Sequence, residues 1–257
     1  MIPKKIHYFW IGGNPKPESV LNCIDSWKKY CPDYEIIEWN ETNYDFTKNE
    51  YMQQAYSEKK WAFVTDYARL DVIYRYGGIY LDTDVELIKP LDSVLDYTGF
   101  MGFDQTTEKD HYVATGLGFG MEPGNHIIQE MMRDYETMKG TGEESIKYVP
   151  CPYLNTQVLR KHGLENDDID QIVENIKIFA SDVLCPKSYN TLQIHITDRT
   201  LSIHHFDGTW QDNKSKRRHR MTTGINLLFG EKVGSKIDRE FGNLEYYIQA
   251  VQKKLKH

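Results

Sequence analysis

Between residues 5 and 11, Ile6, Tyr8 and Trp10 alternate with His7 and Phe9. This period of two predicts a short strand, which Gly12-Gly13 ends with a turn. Val20, Cys23, Ile24 and Trp27 then recur at spacings of three and four, so 19–30 is expected to be a helix. A second strand is expected over 35–39, after the Cys31-Pro32-Asp33 break. Strand, helix, strand in close succession is the signature of a sheet with covered faces. The stretch 60–76 is apolar on nearly every side, and a helix without a polar face is a buried one. Gly77-Gly78 stops it, and Ile79-Tyr80-Leu81 leads as a strand into Asp82-Thr83-Asp84, followed by a short apolar piece over 85–88. Further strands are expected over 99–103, 112–121, 176–180 and 201–206, and helices over 126–139, 153–162 and 236–255. The order predicts an α/β fold without internal repeat or linker. Residues 1–210 are expected to form its main domain, and 211–257 a basic loop and helical C-terminal extension of the same domain.

Composition narrows this picture. The chain has 257 residues, 40% of them hydrophobic, and a formal net charge of −7, which excludes a protein that coats nucleic acid by bulk electrostatics. Four cysteines without a CxxC pair suggest neither a disulfide framework nor a zinc knuckle. No apolar run approaches the roughly 18 to 20 residues that cross a bilayer, and MIPKKIHYFWIGG carries no signal-peptide core. A soluble, cytoplasmic protein is expected. Aromatic residues make up 13% of the chain, material for a core or for stacking on sugars and bases.

The candidate chemistry centres on Asp82 and Asp84, at the carboxyl end of an apolar strand, the edge where open α/β sheets bind ligands. Two carboxylates held close together repel, and a divalent cation keeps both ionised. A bare D-x-D is more often a solvated turn, but Asp66 and Arg69, three apart on the otherwise apolar helix, need a partner or a polar cavity. Asp71 and Arg75, four apart, fit a structural ion pair. In SIHHFDGTW, strand alternation sends His204 and His205 to opposite faces, so one of them is expected at a given site. An imidazole beside two carboxylates suits Mn²⁺ better than Mg²⁺. Lys214, Lys216, Arg217, Arg218 and Arg220 follow in a run that is either a solvated loop or a counter-charge for a diphosphate or an anionic membrane.

HYFWIGG, AFVTDYARLDVIYRYGGIYLDTDVELIKPL and SIHHFDGTW, in that order, resemble the family 32 glycosyltransferases, whose sugar-binding region contains a D-x-D motif. The resemblance extends more distantly to clostridial glucosylating toxins and to family 8 retaining transferases. It implies a GT-A type fold, a mixed sheet with helices on both faces and a helical C-terminal appendage. It also implies a retaining, metal-dependent hexosyl transfer from a nucleotide-diphospho-sugar. Trp10 matches the aromatic that stacks on the nucleotide base, with Ile11 and Gly12 beside it. Asp66 and Arg69 match the pair that holds the donor sugar and its phosphate side, and Tyr80 joins these donor contacts. Asp82 and Asp84 match the metal-binding pair, with Asp82 shared between metal and ribose. His205 matches the C-terminal metal histidine and is preferred to His204. Trp210 matches the tryptophan of a loop closing over the diphosphate, helped by Thr209, where relatives often have Ser, and by Lys214 or Lys216. Asn155 and Gln157 lie where relatives contact donor or acceptor. Mn²⁺ or Mg²⁺ is the implied cofactor. UDP-galactose is the favoured donor, ahead of UDP-N-acetylglucosamine and UDP-glucose, with GDP-mannose suggested by the yeast branch. The implied acceptor is a glycan or lipid-linked oligosaccharide of bacterial surface polysaccharide synthesis, such as capsule or lipopolysaccharide. It would be reached from the cytoplasmic side with weak peripheral membrane contact through the basic run and the 236–255 helix.

Two rival readings remain at this level. Asp82-Thr83-Asp84-Val85 also satisfies the opening motif of haloacid-dehalogenase phosphatases, with Asp167-Asp168 as a second acidic pair at an exposed helix start. A non-catalytic carbohydrate- or membrane-binding module would use the aromatics and the basic run.

Overall fold

The computed structural model describes residues 1–105, 110–138, 146, 148–208, 213–230, 233 and 236. The chain divides into two compact units, Met1–Lys187 with Ile194–Asp207, and Ser188–Gln193 with Gly208–His257.

The first unit is built on a seven-stranded sheet. β1 (Lys5–Phe9) lies between β2 (Glu35–Trp39) and β3 (Gly78–Tyr80), all three parallel. β3 pairs antiparallel with β6 (Phe119–Met121), and β6 antiparallel with β5 (Gly99–Gly102). β5 runs parallel to β8 (Ile176–Phe179), whose other side pairs with the antiparallel edge strand β7 (Gln171–Val173). A separate two-stranded sheet joins β4 (Val85–Leu87) to β9 (Ser202–His204).

Strand alternation divides the core into two layers. Phe9, Tyr80, Met101, Ile176 and Ile178 face a layer with α2 (Glu50–Ser57), α3 (Trp61–Tyr76), α4 (His126–Thr137) and α5 (Cys151–Lys161). Ile6, Tyr8, Ile79 and Phe100 face the other, with α1 (Glu18–Tyr30) and α6 (Ser181–Leu184). The mixed sheet with helices on both faces is therefore as expected. The four cysteines are free and buried.

Several elements differ from the sequence-based expectation. The strand expected over 112–121 is interrupted. Val113 makes an isolated bridge to Phe103, Thr115–Leu117 form a 3₁₀ turn, and Gly118 at φ +119° breaks the extended run before β6. Asp167-Asp168 does not start a helix. Asp168 accepts the Ser181 N–H at 2.7 Å, and the chain continues into β7. α2 had no strong periodic signal; Asn49 caps it by accepting the Met52 N–H at 3.0 Å.

In the second unit the basic run is part of a helix, α7 (Asn213–Phe229), rather than a loop, in keeping with the helix propensity of Lys and Arg. Tyr189 stacks on His219 at 4.2 Å there, and the Asn226 side-chain amide donates to the Asn190 carbonyl. The helix expected over 236–255 falls outside the described residues apart from Lys236. Among the described residues no helix is long and apolar enough to cross a membrane.

The junction of α3 and β3 fixes how the buried helix feeds the sheet. Gly77 adopts φ +62°, ψ −170°, and a Cβ there would meet Pro123 Cδ at 2.8 Å, so only glycine fits. Its carbonyl accepts the Nε2–H of the fully buried His7 at 2.9 Å, while Trp39 Nε1–H donates to His7 Nδ1 at 3.1 Å. These bonds require the neutral Nε2–H tautomer, because a proton on Nδ1 would face the indole N–H. Burial accordingly pushes the His7 pKa down to about 4. The unfolded chain then binds a proton that the native state refuses between about pH 6.5 and 4, so this residue's contribution to stability falls as pH drops through that window. From pH 7 to pH 5 the loss is about 2 kcal/mol. Urea unfolding at both pH values should show the wild type losing about that much more than His7→Asn; equal losses would refute the assignment.

Candidate functional site

The chain leaves the carboxyl end of β3 still attached to the sheet. The Leu81 N–H donates to the His7 carbonyl at 3.1 Å and the Asp82 N–H to the Gly116 carbonyl at 3.4 Å. The Val85 N–H then closes on the Asp82 carbonyl at 3.0 Å, a reverse turn that presents Asp82 and Asp84 and leads into β4. β4 pairs with β9 so that Val85 opposes His204. That register brings His204 Nε2 to 3.1 Å from Asp84 Oδ1, while the Asp207 N–H donates to Asp84 Oδ2 at 3.0 Å. Asp82, Asp84 and His204 each offer a ligand atom, and these atoms lie within 4.8 Å of one another.

Arg69 of α3 supports this turn from behind. Its Nη2 donates to Asp66 Oδ1 at 3.1 Å and its Nη1 to Asp82 Oδ2 at 3.4 Å. Nε donates to the Thr65 carbonyl at 2.9 Å, and Nη2 also reaches Thr65 Oγ1 at 3.0 Å. Tyr80 OH donates to Asp82 Oδ1 at 2.8 Å, and its ring lies 5.0 Å from the guanidinium carbon. The planar fork of arginine thus holds two carboxylates at fixed separation, which a lysine could not do. Arg69 and Asp66 are only 3% and 5% exposed, so the pair is not a surface ornament.

The electrostatics record an excess of negative charge. Burial pushes the Asp66 carboxyl up to about 6, against Arg69 and a hydrogen bond from the Cys151 thiol. Burial also raises Asp82 despite Arg69, and Asp84 adds to the rise. At Asp84 burial acts in the same sense, but His204 and the Asp207 N–H outweigh it and hold this carboxyl below its usual range. Burial would lower His204, yet Asp84 more than offsets this and raises it. His204 Nδ1 is buried without a partner. Two carboxylates and an imidazole in an acidic, desolvated turn are a donor set that fits a divalent cation such as Mn²⁺.

Other expected residues separate into groups. Trp10 lies just past the carboxyl end of β1, adjacent to β3 and so on the same sheet edge as Asp82. Its Nε1–H donates to the Asn14 carbonyl at 2.6 Å, and Lys16 Nζ stands 5.8 Å from the ring. Ile11 is buried, and the Gly12 N–H donates to Glu41 at 2.7 Å. Asn155, buried on α5, donates to Thr115 Oγ1 at 3.1 Å, and its Oδ1 has no partner. Thr115 precedes Gly116, which packs on Asp82, so Asn155 is linked to the acidic turn. Gln157, two residues further along the helix, is partly exposed on roughly the opposite side. Asp71 pairs with Arg75 at 2.9 Å and accepts from Tyr44 OH at 2.7 Å, the structural role anticipated for it.

The histidine preference is corrected. His205 Nε2 lies 2.9 Å from Glu86, and the imidazole beside the D-x-D pair is His204. The resemblance favoured His205, whereas the β4–β9 register sets His204 beside Asp84. Thr209 and Trp210 lie outside the described residues, as does the side chain of Lys214. Lys216 is partly exposed on α7 in the second unit.

Four neighbours of the site carried no clear sequence signal: Thr115, Gly116, Cys151 and Lys187. Lys187 Nζ donates to the His205 carbonyl at 2.6 Å, and burial lowers its pKa while Asp207 and Asp84 oppose that shift. Thr65 could have been found from its i,i+4 spacing to Arg69.

Residues 17–101 match the family model described as a glycosyltransferase sugar-binding region containing a DXD motif. Two relatives come from Schizosaccharomyces pombe. Inositol phosphoceramide mannosyltransferase 3 is 32% identical over 39% of this chain and 29% of its own length, and inositol phosphoceramide mannosyltransferase 1 is 30% identical over 60% and 53%. The chain thus spans about half or less of the length of these relatives. The solved PaToxG glycosyltransferase superposes with a TM-score of 0.49 at 24% identity, over 62% of this chain and 69% of that one.

A Cβ at Gly116 would stand 2.4 Å from Asp82 Oδ2 and 3.0 Å from Arg69 Nη1, on a backbone that any residue can adopt. Gly116→Ala should therefore push Asp82 off Arg69. The expected outcome is a loss of about 1–3 kcal/mol in chemical denaturation, with weaker Mn²⁺ binding by electron paramagnetic resonance. Unchanged stability and affinity would show that the contact is slack.

Proposed function

We propose that this chain is a metal-dependent, retaining glycosyltransferase of the GT-A type that moves a hexose from a nucleotide-diphospho-sugar to a hydroxyl of a glycan or lipid-linked acceptor. The observation that carries the reading is the convergence of Asp82, Asp84 and His204 on a turn braced by Arg69 and Asp66; all of these but His204 lie in the segment that matches the sugar-binding region.

Asp82, Asp84 and His204 would hold Mn²⁺ or Mg²⁺, which when bound supplies charge neutralisation for the diphosphate that leaves. Arg69 keeps the Asp82 carboxylate in place and adds positive charge behind it. Asp66, fixed through Arg69, and Asn155, with its unpartnered Oδ1, are hydrogen-bond acceptors for donor sugar hydroxyls. Trp10, with Ile11 and Gly12, stands at the same sheet edge for the nucleotide base. Lys187 is a further cation for the phosphates, and Thr209, Trp210, Lys214 and Lys216 are assigned to diphosphate closure on the resemblance alone. Asp66, Asp82 and Asp84 are each tied to a cation or an N–H, which leaves none of the three free as a covalent nucleophile. Attack by the acceptor hydroxyl on the face from which the phosphate departs, with a phosphate oxygen accepting its proton, therefore accounts for retention. The match of residues 17–101 to the DXD glycosyltransferase model supports the transferase over the phosphatase reading.

The relatives named as mannosyltransferases bring GDP-mannose forward beside UDP-galactose, UDP-glucose and UDP-N-acetylglucosamine. A role in bacterial capsule or lipopolysaccharide synthesis at the cytoplasmic face of the membrane remains part of the proposal.

Nucleotide release from a panel of these four donors with Mn²⁺ tests the reading. One donor should turn over, Asp84→Ala should lower the rate at least about 100-fold, and His204→Ala should cost about 10-fold or more, whereas His205→Ala stays within about 3-fold of wild type. Phosphate release from a simple phosphomonoester without sugar transfer would overturn it. A larger defect in His205→Ala than in His204→Ala would reverse the histidine assignment.

A further inference from the structure

A second group of metal-ligating side chains lies on the first unit, built from elements other than the D-x-D turn. His126 is the first residue of α4, Glu130 stands one turn further along the same helix, and His162 directly follows α5. Glu174 occupies the tight turn between β7 and β8, where it and Asn175 adopt φ +46° and +68°. The two oxygens of Glu174 face two different imidazoles. Oε2 is 2.6 Å from His126 Nε2, and Oε1 meets His162 Nδ1. The two rings stand edge to face with centroids 6.0 Å apart. His126, His162 and Glu174 each offer a ligand atom within 4.8 Å of the others.

The decisive feature is on the far side of His162. Its Nε2 lies 2.8 Å from Glu130 Oε2, and Lys161 Nζ holds the other oxygen of Glu130 at 3.3 Å. A carboxylate behind one imidazole nitrogen keeps the proton there and turns the lone pair of the other nitrogen outward, the outer-shell arrangement that orients metal-bound histidines. Here the outward nitrogen is Nδ1, facing Glu174 and His126. In the metal-free protein a shared proton lies between each imidazole nitrogen and the carboxylate; a cation would take the place of those protons, which pass to solvent.

We infer that His126, His162 and Glu174 form a second metal site, oriented by Glu130, for a borderline transition-metal cation of the Zn²⁺ type. Two imidazole nitrogens and one carboxylate select Zn²⁺ over Mg²⁺, which prefers an all-oxygen shell. The site ties α4, α5 and the β7–β8 hairpin together at the surface. Its role is to clamp elements rather than to react, since it draws on none of the D-x-D residues. The side chains of His126 and Glu174 are 61% and 40% exposed, so they can close the remaining distance without disturbing the core.

The test uses the full chain, stripped with chelator, in an Asp84→Asn background that removes the D-x-D site. Calorimetric titration with Zn²⁺ in excess Mg²⁺ should give one saturable site per chain. His126→Ala and Glu174→Gln should each weaken it at least 10-fold, and Glu130→Gln should weaken it about 10-fold or more through loss of orientation. Thermal unfolding of the Asp84→Asn protein should shift upward with Zn²⁺, and the shift should vanish in His126→Ala. The Co²⁺ form supplies a readout that needs no further variant. Intense visible bands from a four- or five-coordinate nitrogen-containing site support the assignment, whereas the weak spectrum of hydrated Co²⁺ would overturn it. Absence of a saturable Zn²⁺ site, or equal affinity in His126→Ala, would also overturn it.

Discussion

The buried guanidinium of Arg69 is the interaction on which the site depends. It lies inside a helix that the core covers on nearly all sides, and it joins Asp66 on that helix to Asp82 on the turn after β3. A buried pair of this kind is weak evidence for stability, because desolvation costs about as much as the charges return. Its value here is positional. Arg69 is rooted in α3 through the Thr65 carbonyl and hydroxyl, so Asp82 takes its place from a rigid helix rather than from a flexible loop. Removing the guanidinium would leave two desolvated carboxylates facing each other, with the third, Asp84, close by.

That constraint explains why the surroundings are so tightly specified. Gly77 must be glycine for α3 to turn into β3, and Gly116 must be small for Asp82 to meet Arg69. Tyr80 closes the remaining oxygen of Asp82. Asp84 is left to face His204, and the acidic excess raises that imidazole's proton affinity. Acidic groups thus gather at the carboxyl edge of the sheet, where open α/β sheets bind ligands, and the proposed cation site rests on that placement.

Much of this was legible along the chain because it is local. Alternation around Ile6 and Tyr8, the apolar helix through Ile73 and the D-x-D after Leu81 each occupy a few consecutive residues. So do the i,i+3 relation of Asp66 and Arg69 and the i,i+4 relation of Asp71 and Arg75. What was not legible depends on distant register. His204 stands at the site because it pairs with Val85 across the β4–β9 ladder, a contact between residues far apart in sequence, and the resemblance pointed to its neighbour. Gly116 and Thr115 read as part of a continuous strand until the 3₁₀ turn that they form is seen to pack on Asp82. The histidines and glutamates of the second cluster come from two helices and a hairpin, and nothing in their spacing announces that they meet.

The proposed function requires Asp82, Asp84 and His204 to act as one cation site held by Arg69. Its most direct measurement is an anomalous difference map at the manganese edge from crystals grown with Mn²⁺ and a nucleoside diphosphate. A peak is expected within bonding distance of carboxylate oxygens of Asp82 and Asp84 and a nitrogen of His204, with Arg69 still bridging Asp66 and Asp82. A nucleotide bound with no manganese at these three residues, or manganese held by His205 instead, would contradict it.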